Sequence, residues 1–175
     1  GSIWGHGSYV APDWSADWLH REAIEVLNAW ALADYGASYA QLGGEQQGAL
    51  RVRLQPLMRT NTFDERTGTI TLPTERVAAV AKVAAHYVSL FGDQADTAAL
   101  REAYAMKNNT VDSDAHRRAL TAFIWWSAWA AAAERPQSPA DQIDIKPGTP
   151  TTARVTYTNN WPSEPLIGNV PPPSL

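Results

Sequence analysis

The chain has 175 residues, 45% of them hydrophobic and 18% charged, with a net charge of −4. These values suit one globular domain with a real core, leave little room for two, and exclude a disordered chain. A mildly acidic balance without a Lys/Arg run also excludes nucleic acid as the main partner, since phosphate binding needs a basic face. There are 8 Trp and no Cys. Disulfides, zinc–thiolate sites, a cysteine nucleophile and a covalent c-type haem are therefore excluded within these residues. The Trp excess points to thick aromatic packing or an interfacial surface.

In chain order, Gly1-Ser2 reads as a cloning scar, and "GHGSYVAPDW" (5–14) reads as a loop crowded with rings. Asp13 or Ser15 caps a helix expected from about Ala16, with Asp17 in its first turn and Trp18, Leu19, Ala23, Val26, Leu27 and Trp30 on one face. Gly36 is the stop signal. A second helix is expected over 45–59 with Leu50, Leu54 and Leu57 inward; Pro56 inside it predicts a kink or an early end. "TNTFDERTGTITLP" (60–73) changes period and predicts a small hairpin turning at "DERTG".

Pro73 suits the first turn of a third helix. Its apolar stripe is read as Val77, Val80, Ala81, Ala84, Val88 and Phe91, with Gly92 ending it. A short helix, "TAALREAYAM", leads to a polar loop in which Asp112 or Asp114 starts the last long helix. That helix carries Leu120, Phe123, Ile124, Trp125, Trp126 and Trp129, apolar over so much of its circumference that it must be central or lie at an interface. The stretch 119–133 is shorter than the roughly 20 residues a bilayer span needs, and no signal peptide is evident. A Pro-rich region follows, with one extended stretch, "ARVTYTNNWP" (153–162). The fold class expected is mainly α with a small β-hairpin.

Candidate chemistry is sparse. His20, His86 and His116 form no metal-binding spacing and read as structural or solvated; His6, in its glycine-lined loop, is the exception. No nucleophile elbow or phosphate-binding loop occurs, and "GHGSY" matches the elbow only superficially. A binding or hydrolytic module using His6, Ser8 and an acidic residue stays open. Asp112 and Asp114 read as helix caps. Trp125, Trp126 and Trp129 are a ligand platform or, more simply, packing. Met58 and Met106 leave an axial sulfur ligand open by composition.

The blocks "SIWGHGSYVAPDWSADWLHREA", "RTNTFDERTGTITL", "HYVSLFG", "LREAYAM" and "TYTNNWPSEPLIGN" are spread over 2–169. Together they resemble the quinol-dependent nitric oxide reductases, single-chain membrane enzymes of the haem–copper oxidase superfamily. The opening motif is also similar to the cytochrome c subunit of the cytochrome-c-dependent relatives. Gly5, Gly7, Tyr9, Ala11 and Pro12 match its "GEGAY.AP"-type pattern; Ser8 replaces an alanine and His6 an acidic residue.

The resemblance implies a cytochrome-c-like helical domain without haem, spanning 3–170. Residues 171–175 would be a Pro-rich tail leading to the second transmembrane helix, and the domain would lie on the periplasmic face of the bacterial inner membrane. It implies a structural role, docking on the protein's own transmembrane catalytic domain, with an electron-transfer cytochrome cut after its haem motif as the alternative. The parent would reduce two NO to N2O and water with electrons from a membrane quinol, using haem b, haem b3 and a non-haem iron that this chain does not ligate. The backbone carbonyls of Gly7 and Tyr9 would help hold an interdomain calcium, completed by a carboxylate of the catalytic domain.

Overall fold

The structure is a computed structural model that describes residues 13–134 and 164–168. Five helices and one hairpin make up these residues: α1 (Trp14–Tyr35), α2 (Gly44–Arg59), β1 (Phe63–Asp64), β2 (Thr69–Ile70), α3 (Thr74–Leu90), α4 (Ala98–Ala103) and α5 (Asp114–Ala132). Helices α1, α3 and α5 pack on one another; α2 lies against α1 and carries the turn Pro165–Ile167. The fold is mainly α with a minimal antiparallel sheet, Phe63 opposite Ile70 and Asp64 opposite Thr69. Among the described residues no helix is long and apolar enough to cross a membrane. The extended stretch 153–162 and the Pro-rich tail lie outside the described residues.

Helix α1 follows its pattern closely. Trp18, Leu19, Ala23, Val26, Leu27 and Trp30 are all buried, and Gly36 closes the helix at φ 69° with its N–H on the Leu32 carbonyl. The start lies two residues before the expected Ala16. Asp13 is the cap, its Oδ1 accepting the Ser15 and Ala16 N–H groups, which places Ser15 inside the helix.

Helix α2 runs through Pro56 to Arg59, so the expected early end does not occur. A proline deprives the carbonyl four residues back of its donor. Here that carbonyl belongs to Val52, and both residues are exposed, so water can take its place. The inward residues are Leu50, Leu54 and Met58; Leu57 is only half-buried, because 50–54–58 is the straighter row on a helix.

Three helix boundaries are sharpened: Gly92 ends α3 and Asp114 opens α5 as expected, while the capping positions fall elsewhere. Pro73 stands at the N-cap of α3, one residue before its first turn. Gly92 lies just beyond the end of α3, where a side chain would meet the Val88 carbonyl at 3.2 Å and Arg117 at 3.3 Å. The cap of α5 is Ser113, whose Oγ accepts the His116 N–H; Asp114 occupies the first turn and Asp112 pairs with His116 instead.

The stripe on α3 is the largest departure. Its buried face is Arg76, Ala79, Val83, Tyr87 and Leu90, whereas Val77 is 52% exposed and Val80, Ala84 and Val88 are half-buried. The rotation is set by polar chemistry. Arg76 and Glu22 are both fully buried, at 2% and 1% exposure. The Arg76 Nε–H donates to Glu22 Oε1 at 2.7 Å, and the Trp18 Nε1–H donates to Glu22 Oε2 at 2.9 Å. A hydropathy pattern counts an arginine as surface, so it places the neighbouring face of α3, about a quarter-turn away, inward.

Tyr87, eleven residues on, lies in the same row. Its ring stacks on Trp18 at 5.2 Å, and its hydroxyl donates to Asp17 Oδ2 at 2.6 Å. Burial first, and the Asp17 carboxylate second, push the Tyr87 hydroxyl far above the usual phenol range. Next to it the half-buried His86 is held below the usual histidine range by burial and by the Arg21 charge.

Removing one partner of the buried pair strands a charge, typically costing about 3–5 kcal/mol. Arg76→Met should therefore lower the urea midpoint sharply, and adding Glu22→Gln should recover part of the loss, because Gln still accepts from Trp18. Equal loss in the single and double variants would show that the pair is not coupled. His86 supplies a pH signature. Folded His86 binds its proton less tightly than the unfolded chain, so unfolding takes up a proton below about pH 6.5. Its contribution to stability is complete above that pH and declines below it. His86→Gln should shrink the fall in Tm between neutral and mildly acidic pH, read by circular dichroism.

Candidate functional site

With Arg76 and Tyr87 turned inward, the valine and alanine stripe of α3 is left facing α5. The two helices run antiparallel, since Gly92 at the end of α3 touches Arg117 near the start of α5. Between them lies an open groove of about 650 Å³. Val80, Ala81, Ala84, Ala85 and Val88 form one wall, and Thr121, Ala122 and Trp125 form the other. Trp18 of α1 also lines the groove, with Arg118, Ser89 and Gln94. Most of the wall residues are small, so a side chain or helix could approach the backbone closely. Thr121 Oγ1 and Trp125 Nε1 have no hydrogen-bond partner among the described residues.

The three tryptophans of α5 do not form one platform: Trp125 and Trp129, four residues apart, pack in one cluster, while Trp126 is turned away from Trp125 by about 100°. Trp129 is buried beside Phe63 of the hairpin, with ring centroids 6.3 Å apart. Trp125 lines the groove. Trp126 is 49% exposed and stacks at 6.0 Å on Phe123, itself 60% exposed. The helix is thus both central and surface-forming, as its all-round apolar character implies.

At the start of α1, Trp14 makes edge-on contacts with Tyr87, Phe91 and Tyr104 at 5.9, 5.6 and 5.9 Å. Asp17 accepts from both Tyr87 and the Arg21 Nε–H, the latter at 2.7 Å. Burial opposes the Arg21 charge, but the bond to Asp17 prevails and raises its proton affinity. This aromatic and ionic knot fixes the start of α1. His6, Ser8, Gly7 and Tyr9 lie outside the described residues, so neither the hydrolytic alternative nor the carbonyl site is placed.

The remaining histidines separate from one another. The His20 Nδ1 lies 3.1 Å from Glu164 Oε2, and the other Glu164 oxygen accepts the Leu166 N–H at 3.0 Å. Together with the fully buried Ile167, this pins the 164–168 segment to α1 and α2. His116 pairs with Asp112 on the surface, and that hydrogen bond holds the Asp112 carboxyl below the usual range. No group of three or more His, Asp or Glu that could hold a metal occurs among the described residues.

Among the described residues nothing is arranged to hold a c-type haem. Covalent attachment needs cysteine, and the chain has none. Of the axial candidates, Met58 is fully packed in the core and Met106 rests against it. Neither lines the groove, nor does any of the three described histidines. Sequence reasoning missed Glu22 and Arg76 as core residues. The signal was present in their spacing: Glu22 follows Trp18 by four, and Arg76 precedes Ala79 and Val83 by three and seven.

No curated protein matches the chain. A family model for the cytochrome c-like domain of the nitric oxide reductase B subunit matches residues 1–141. That span takes in the opening loop and all five helices, and the helical fold agrees with it. The chain belongs to this family of nitric oxide reductase cytochrome c-like domains.

Proposed function

We propose that this chain is a haem-free structural domain of a single-chain, quinol-dependent nitric oxide reductase, seated on the periplasmic side of its own catalytic domain. The observation that carries this reading is the closed helical interior. The Trp18–Tyr87 stack and the Glu22–Arg76 pair occupy the space between α1 and α3, and Met58 is packed without a free face. A domain built this way offers no redox group of its own and serves by shape. Its aromatic knot around Trp14 is a rigid base from which the opening loop can reach the catalytic domain. Gly7 and Tyr9 would lend backbone carbonyls to an interdomain calcium; oxygen ligands at a glycine turn suit that ion, and carboxylates of the catalytic domain would complete its charge.

The whole reductase provides the test. Denaturing electrophoresis followed by haem staining should leave the polypeptide colourless. NO consumption should run with a reduced quinol and not with reduced cytochrome c. A covalently bound haem, or turnover driven by cytochrome c, would sink the reading. Millimolar calcium should raise the Tm of the whole reductase and leave that of the 175-residue chain unchanged, because the ion's carboxylates belong to the other domain.

A further inference from the structure

We propose that the α3–α5 groove is a binding site for an alkyl carboxylate, its hydrocarbon tail laid along the groove and its anionic head at Arg118. The groove is not uniform along its length. Helices α3 and α5 run antiparallel, so the end of α3 lies beside the start of α5, where Gly92 and Arg117 approach each other. Ser89, Gln94 and Arg118 therefore gather at one end. The middle and the other end are walled by Val80, Ala81, Ala84, Ala85, Ala122 and Trp125. Small-molecule sites combine an apolar lining with a few polar groups that fix orientation, and this lining is divided in that way.

The dimensions suit one hydrocarbon tail. From Val80 to Ser89 helix α3 rises by about 14 Å. The groove volume of about 650 Å³ is that of an ordinary ligand site. Ala81 and Ala85 stand on successive turns of α3, so their small side chains leave a continuous lane for methylene groups.

Charge selects the head. Arg118 is the one charged residue among the described lining of the groove. Its Nε–H donates to Asp114 at 2.7 Å, which leaves the terminal nitrogens of the guanidinium for a second carboxylate. The carboxylates of Asp114 and Asp96 are engaged by Arg118 and Ser89, and neither lines the groove. Thr121, one turn along α5 from Arg118, is 3% exposed, and its hydroxyl has no partner among the described residues. A buried hydroxyl left unpaired is costly, and a carboxylate seated at Arg118 brings an acceptor within one turn of it. This inference does not rest on the docking reading above.

An NMR titration of the isotope-labelled 175-residue chain with octanoate, decanoate and octanol, each below its micellar or solubility limit, tests the site. The indole N–H signal of Trp125, assigned by its disappearance in Trp125→Phe, should shift saturably with both acids. Each added methylene should tighten binding about two- to fourfold. Octanol should bind about fivefold more weakly than octanoate, because it lacks the charge-assisted bonds to Arg118. Arg118→Gln should erase that difference. Ala81→Leu combined with Ala85→Leu, both at exposed positions, should fill the lane and abolish binding, with folding verified by circular dichroism. Phe123→Ala, exposed on α5 but outside the groove lining, should leave every affinity unchanged. The proposal is overturned by the absence of a saturable shift, or by octanol binding as tightly as octanoate. It is equally overturned by affinity indifferent to the two leucines, or by loss of binding in Phe123→Ala.

Discussion

The buried contact between Arg76 and Glu22 organises this domain more than any apolar row does. Two opposite charges withdrawn from water are costly, and the cost is offset only when their hydrogen bonds are well made. Here Glu22 accepts from Arg76 and from the indole of Trp18. The Arg76 Nη1–H adds a longer bond of 3.4 Å to the Leu57 carbonyl of α2. One side chain on α3 thereby ties together α1, α2 and α3 and fixes the rotation of α3 about its own axis. A helix turned by about a quarter would bury the valine stripe, but it would leave the arginine and the glutamate with no shared site.

The consequences of that rotation run through the molecule. Tyr87 lies three turns along the same row, so it reaches Asp17 and stacks on Trp18. Trp14 then fits against Tyr87, Phe91 and Tyr104, which anchors the start of α1. On the other side, the valines and alanines displaced from the core line an open groove with α5. Core and groove are two outcomes of one choice, made by a charged pair.

A similar division holds at the chain's other polar anchor. The short segment 164–168 is held by Ile167 in the core and by His20 on the Glu164 carboxylate. Arg59 also donates to the Gly168 carbonyl at 3.3 Å, and its guanidinium pairs with Glu134 at 2.8 Å. These contacts join α1, α2 and the end of α5 to a piece of chain far away in sequence. Such ties hold α1, α2 and the end of α5 in fixed relative positions.

Local signals in the sequence determined a good deal. The cap at Asp13 or Ser15, the face of α1, the Gly36 stop, the hairpin around Gly68 and the positions of five helices all follow from interactions within a few residues, the structure choosing Asp13 as the cap. The blocks of the opening and closing stretches also carried the family, which the match over 1–141 supports at the level of the reductase B subunit. What only the tertiary structure decided was which face of α3 is inside, which tryptophan of α5 is buried, and where the groove lies. The physical reason is range. Hydropathy treats each residue as exposed or buried on its own account, whereas Arg76 is buried because Glu22, 54 residues away, is there to meet it.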